Sequence, residues 1–177
     1  MKYRADIDGL RSLAVLPVLF FHAGFNFFSG GFVGVDIFFV ISGYLITMIL
    51  MKDIANGSYT LAGFYERRAR RILPAYLTML AVVFLVGFFL FLPTEFQSLS
   101  ESMLSSLAFF SNVYFWKNSG YFSVQAEYSP FLHTWSLSVE EQFYFIWPIL
   151  LLILHRFFNS NLRVYTVFVL LISTILL

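Results

Sequence analysis

The sequence of 177 residues is 59% hydrophobic and 21% aromatic but only 12% charged, with a mean hydropathy of +0.79 and a formal net charge of +1. Continuous apolar runs of this kind exclude a soluble domain and the short alternating segments of a β-barrel, and identify an all-α polytopic membrane protein, a transmembrane helix bundle. The near-neutral charge offers no surface for nucleic acid, and the lack of cysteine excludes thiol catalysis, disulfides and thiolate-held metal.

Lys2 and Arg4 precede an apolar run that is too long for a cleaved leader and reads as a retained signal-anchor. A first span is predicted over residues 12–28, with Pro17 inside it, and a second over 32–51. Three polar side chains interrupt them: Arg11, His22 and Asp36. Arg11 and His22 are eleven positions apart, which returns to within roughly 20° of one helix face with a rise of roughly 16 Å, so the two address opposite ends of one extended ligand. With Ser29 to Gly31 as the hairpin tip, His22 and Asp36 are expected at matching depth. A carboxylate on one imidazole nitrogen would fix the tautomer and leave the other nitrogen as a base. The plainer alternative makes His22 a packing residue and Asp36 a favourable charge near a helix start. Ionisable groups inside a bilayer are costly, which favours the functional reading.

Lys52 and the arginines Arg67, Arg68, Arg70 and Arg71 follow the second span, so both flanks of the hairpin are expected in the cytoplasm. Asn56-Gly57-Ser58 signals a turn. From Leu61 a helix is expected to run through the arginines into a third span over 72–92. Four arginines in five residues at a helix end serve as a topology signal and an anionic-lipid contact, or as a phosphate clamp, since guanidinium groups bind phosphate in bidentate fashion. Arg67 with Arg70, and Arg68 with Arg71, both lie three residues apart on one face. A nucleotide donor such as coenzyme A would suit such a clamp.

Residues 103–116 are apolar for about half a span and carry Ser105, Ser106, Ser111 and Asn112, so they are predicted to be re-entrant or interfacial. The next span is predicted over 139–154. It is entered by Glu140, Glu141 and Gln142, with Ser138 as the expected N-cap. Glu140 and Tyr144 share a face with Ser136 and His133, and can line a cavity for a hydroxyl-rich acceptor or simply cap a helix. Trp116, Tyr121, Tyr128, Trp135 and Trp147 are expected in an outer aromatic belt. Residues 164–177 begin a further span, which makes about five spans in all and implies a partial chain. His22, His133 and His155 lack metal-binding spacing, so no metal is expected.

Three segments together resemble the acyltransferase-3 family of bacterial integral-membrane O-acyltransferases. Arg11 and His22, followed by GGFVGVDIFFVISGYLIT, are similar to its first motif; FYERRARRILPAY and HTWSLSVEEQFYFIWP are similar to the other two. The resemblance implies acyl transfer from acetyl-CoA, a donor substrate rather than a resident cofactor, to a hydroxyl of an envelope glycan or glycolipid such as lipopolysaccharide or exopolysaccharide. It implies His22 as base, Arg11 as donor support, and Arg68 with Arg71 on coenzyme A, the pair nearest Ile72-Leu73-Pro74, with Arg67 and Arg70 as the competing register. Asp36, Glu140 and Glu141 are similar to polar positions of the family's cavity, with Trp135 and Tyr144 beside the acceptor. The chain is then expected to be the N-terminal portion of such a domain, in the bacterial cytoplasmic membrane with its N-terminus inside. A transporter or exporter subunit, and an inactive fragment of the enzyme, are the alternatives.

Overall fold

The computed structural model describes residues 5–118 and 129–158. Among these, regular structure is entirely helical: α1 (Ala5–His22), α2 (Gly34–Ala55), α3 (Leu61–Leu90), α4 (Pro93–Leu107), α5 (Ser111–Asn118) and α6 (Thr134–Phe158), with 3-10 turns at Asn26–Phe28 and Gly31–Val33. The chain divides into two compact units, Met1–Glu140 and Glu141–Leu177. The expectation of an all-α membrane protein holds.

Helix boundaries follow from where a left-handed residue closes the last turn. Gly24, at φ 79°, ends α1: the Gly24 amide donates to the Phe21 carbonyl and the Phe25 amide to the Phe20 carbonyl, while the Phe20 and Phe25 rings meet edge to face at 5.5 Å. This paired closure with its apolar contact is the Schellman ending. It stops α1 at His22, six residues before the predicted end of the first span. Gly57, at φ 65°, ends α2 in the same way, with Ser58 donating to the Asp53 carbonyl. Phe109, at φ 55°, ends α4 and is the single non-glycine residue with positive φ among those described. A left-handed non-glycine residue costs roughly 1–2 kcal/mol. Stacking of the Phe109 ring on Tyr76, at 5.3 Å and 15°, offsets that cost.

Among the described residues, three helical stretches are long and apolar enough to cross a membrane: Gly31–Ala55, Leu61–Leu90 and Thr134–Arg156. The predicted first span is not among them. Asp6, Asp8 and Arg11 occupy the start of α1, and the apolar remainder rises roughly 16 Å, about half of a hydrocarbon core. The second and third expected spans correspond to α2 and α3. Thr60 starts α3, its hydroxyl accepting from the Gly63 amide at 3.2 Å, and the helix continues through the arginines for 30 residues. Residues 103–116 form the end of α4, a turn and most of α5. The span predicted from 139 starts five residues earlier, at Thr134. The expectations for Tyr121, Tyr128 and residues 164–177 lie outside the described residues.

In the first unit, Tyr76, Leu80, Leu99, Phe115 and Phe131 form a buried core joining α3, α4, α5 and the turn before α6. Gly87 lets Leu99 pack directly against α3. Opposite faces remain apolar and open: Phe88 is 62% and Phe89 79% exposed, as expected of side chains that meet lipid rather than water. In the second unit, Tyr144, Trp147, Leu151 and Leu154 are buried at helical spacing, and Phe143 stacks on Trp147 at 5.4 Å.

Candidate functional site

The hairpin of α1 and α2 is set by two glycines. A Cβ at Gly34 would fall on the Ala14 carbonyl oxygen and the Val18 side chain, and one at Gly31 would fall on the Pro17 carbonyl and Phe21. Only bare backbone fits, the small-residue device by which membrane helices approach closely. Ala14 is therefore level with Gly34, and Pro17 with Gly31. Extending that register puts Asp36 level with Ser12, while His22 stands beyond the start of α2. His22 and Asp36 are thus about ten helical positions, roughly 15 Å, apart along the hairpin. The expectation that they sit at equal depth is corrected. Its premise of a symmetrical tip fails because α1 ends at His22 and a loop of two 3-10 turns intervenes. Asp36 is exposed in the first turn of α2, where its charge complements the helix dipole.

A different acceptor orients His22. Its Nδ1–H donates to the Val18 carbonyl one turn below, at 2.8 Å. A carbonyl only accepts, so Nδ1 carries a proton, and in the neutral imidazole Nε2 then presents a lone pair. The stripe Arg11, Ala14, Val15, Val18, His22 follows the i, i+3, i+4 spacing of one helix face. Its middle lines a cavity of about 240 Å³ formed with Gly34, Val35, Phe38 and Phe39 of α2 and Ser136, Leu137 and Glu140 of α6. Arg11 flanks this stripe at one end, its guanidinium 5.3 Å from the Phe38 ring centre, and His22 flanks it at the other.

The first two turns of α6 supply the third wall. Ser136 and Glu140 both line the cavity, and Trp135 meets Phe39 edge to face at 6.3 Å. Ser138 is not a cap: it lies inside α6, fully buried, with its hydroxyl 2.7 Å from that of Ser111. Thr134 and Ser106 extend this into a chain of buried hydroxyls. Just outside α6, burial pulls the His133 imidazole below its ordinary value; a bond to the Pro130 backbone works against this, and the nearby His22 adds to the lowering. Glu141 and Tyr144 fall in the second unit and are not among the lining residues of the cavity.

The four arginines divide by partner. Arg67 bonds Asp53 at 3.2 Å and Arg70 bonds Glu66 at 2.7 Å. Arg68 is half-buried. Among the described residues, Arg71 is exposed and its guanidinium makes no hydrogen bond or ion pair. The two registers therefore differ chemically, since both members of one already hold carboxylates.

Two features of the site had no clear signal in the sequence. The Val18 carbonyl is backbone, and residue identity does not announce it. The hydroxyl chain was visible only as serines lacing an apolar stretch, because its members are separated by up to 32 positions.

Residues 4–177 match the acyltransferase domain family. The chain is 46% identical to the peptidoglycan O-acetyltransferase OatA of Listeria monocytogenes, over 86% of this chain and 25% of that protein. It is 38% identical to the O-acetyltransferase OatA of Staphylococcus aureus, over 91% of this chain and 27% of that protein. An uncharacterised protein of Haemophilus influenzae is 42% identical over 71% of this chain and 51% of its own length. The chain thus spans about a quarter of the length of the two O-acetyltransferases. No solved structure matches it. With its three motif segments, its apolar helices and a match along nearly its whole length, the chain belongs to the acyltransferase-3 domain family.

Proposed function

We propose that this chain is the N-terminal, membrane-embedded portion of an O-acyltransferase that moves an acetyl group from acetyl-CoA to a hydroxyl of a cell-envelope glycan. Peptidoglycan is the first acceptor to test, because relatives are named for it. The observation that carries the reading is His22: its Nδ1 proton is committed to the Val18 carbonyl, and the residue ends the helical stripe whose middle lines the cavity.

In this reading Nε2 takes the proton of the acceptor hydroxyl as its oxygen attacks the thioester carbonyl carbon. The C–S bond breaks, and the imidazolium returns the proton to the departing thiolate. The cavity is smaller than the roughly 300–1,000 Å³ of whole-ligand pockets, so it suits the acyl end of the donor and leaves the nucleotide outside. Arg11 steadies the donor at the opposite end of the stripe, with Asp36 at the same level. Arg68 and Arg71 hold the phosphates, and Arg67 and Arg70 form the competing pair. Glu140 and Trp135 border the acceptor. The basic flanks of the hairpin face the cytoplasm of a bacterial inner membrane.

The test is transfer of radiolabelled acetyl from acetyl-CoA to peptidoglycan by the intact protein in membrane vesicles. His22→Ala is expected to abolish it at equal protein level, and undiminished transfer would overturn the assignment.

A further inference from the structure

Serine and threonine hydroxyls buried in a membrane protein must bond to protein, and here they bond to one another across three helices. The Ser106 oxygen lies 2.8 Å from that of Thr134, Thr134 lies 2.9 Å from Ser111, and Ser111 lies 2.7 Å from Ser138. None of the four is more than 1% exposed. Two members are anchored in backbone: Ser106, at one end, donates to the Ser102 carbonyl and Thr134 to the Phe131 carbonyl, each at 2.7 Å. Tyr76 of α3 closes on the same place, its hydroxyl donating to the Ser106 carbonyl at 2.7 Å.

Thr134 and Ser138 are one turn apart on a single face of α6. Ser136 and Glu140, which line the cavity, lie on roughly the opposite face at 100° per residue. The turn is gripped on one side and presents the other. Between helices in lipid there is no hydrophobic drive to set rotation or height, so directional bonds do so.

We propose that the hydroxyl chain Ser106–Thr134–Ser111–Ser138 is the positioning element of this site, clamping the first two turns of α6 so that Ser136 and Glu140 meet the cavity at fixed height and rotation. The proposal rests on the acyl-transfer reading for its consequence, and on the hydroxyl geometry alone for the clamp.

The proton inventory ranks the members. Four hydroxyls supply four protons, whereas the chain and its two carbonyl anchors form five close oxygen pairs. One pair is always short of a proton. Removing Ser106 leaves three hydroxyl protons for three pairs, a matched set. Removing the Thr134 hydroxyl cuts both links at the centre, separates Ser106 from the Ser111–Ser138 pair, and leaves three hydroxyl protons for two pairs, so one buried proton loses its acceptor. Thr134 is therefore the critical member and Ser106 the dispensable end.

The experiment uses the intact protein in membrane vesicles and two readouts. Because residues 1–177 have no native cysteine, a Ser136→Cys substitution, made with any cysteine elsewhere in the protein replaced by serine, reports the cavity wall through its rate of labelling by a methanethiosulfonate reagent. Acetyl transfer reports kcat and KM. Thr134→Val is expected to change the labelling rate at least fivefold and, in the Ser136 protein, to lower kcat at least tenfold with KM for acetyl-CoA within twofold; a displacement of about 1 Å can cost about 100-fold. Thr134→Ser restores both, and Ser106→Ala loses at least fivefold less than Thr134→Val. Should Thr134→Val fail to accumulate, the Ser111→Ala and Ser138→Ala pair takes its place. Unchanged labelling overturns the clamp, and changed labelling with unchanged kcat overturns its positioning role. Changed labelling in a protein whose unsubstituted form transfers no acetyl group upholds the clamp and overturns the acyl-transfer reading instead.

Discussion

Gly34 lies so close to the Ala14 carbonyl that a methyl group on its α-carbon would clash with that oxygen. The crossing of α1 and α2, and with it one wall of the cavity, depends on a hydrogen atom at this point. Gly34→Ala is expected to push the helices apart and to cost about 1–3 kcal/mol, as overpacking does. A lowered thermal midpoint of the detergent-solubilised protein would register this. Gly30→Ala is the control, since nothing lies within 4 Å of a Cβ there; an equal loss from both substitutions would refute the close-crossing argument.

The arginine cluster yields a ranking. Glu66 and Asp53 already engage Arg70 and Arg67, while the Arg71 guanidinium has no partner among the described residues. A charge-assisted bond to phosphate contributes roughly 1.5–3 kcal/mol, about tenfold or more in affinity. Arg71→Ala is expected to raise KM for acetyl-CoA at least tenfold, and Arg70→Ala less than threefold. Saturation curves at low and high salt would measure both, and the reverse order would transfer the clamp to Arg67 and Arg70.

His133 makes stability depend on pH. Burial, and to a smaller degree His22, lower its affinity for a proton in the folded protein, against the opposing bond to Pro130. The unfolded chain therefore binds the proton first as the pH drops below the ordinary histidine value of about 6.5. The stabilisation is complete above that value and declines on acidification until the folded-state value is reached. Thermal midpoints at pH 7.5 and pH 5.5 are expected to differ, and His133→Gln is expected to narrow the gap. An unchanged gap would assign the pH dependence to other groups.

Much of this was legible in the sequence because membrane helices announce themselves by length and apolarity. The start of α3 at Leu61 and its passage through four arginines were readable after the turn at Asn56-Gly57-Ser58, whereas the Thr60 cap was not singled out. What escaped was relational. The sequence contains Gly24, but the closure that ends α1 at His22 needs the Phe20 and Phe25 rings as well. Without it, the hairpin looks symmetrical and pairs the wrong residues. Glu140 and Ser136 on one face were readable from their spacing. The grip of Thr134 on Ser106 and Ser111, 28 and 23 positions away, was not.

The distance between His22 and Asp36 leads to the sharpest prediction. In a hydrolase triad, a carboxylate fixes the histidine tautomer, and its loss costs about 10⁴ in kcat. Here the Val18 carbonyl does that work at 2.8 Å, while the register of Ala14 with Gly34 puts Asp36 roughly 15 Å further along the hairpin. A neutral backbone carbonyl thus takes the place that a carboxylate holds in a triad. Asp36→Asn is accordingly expected to lower kcat by less than tenfold and to leave the shape of its pH profile unchanged. Any effect should appear in KM for the donor, since Asp36 is level with the Arg11 end. If Asp36→Asn instead shifts the pH profile or removes three or more orders of magnitude of kcat, the two residues act as a dyad and the register read from the glycines does not describe the working protein. Because a backbone acceptor cannot be deleted by changing Val18, its side-chain substitutions should leave the tautomer intact. His22→Gln should fail as well, for an amide cannot exchange a proton in the manner of an imidazole.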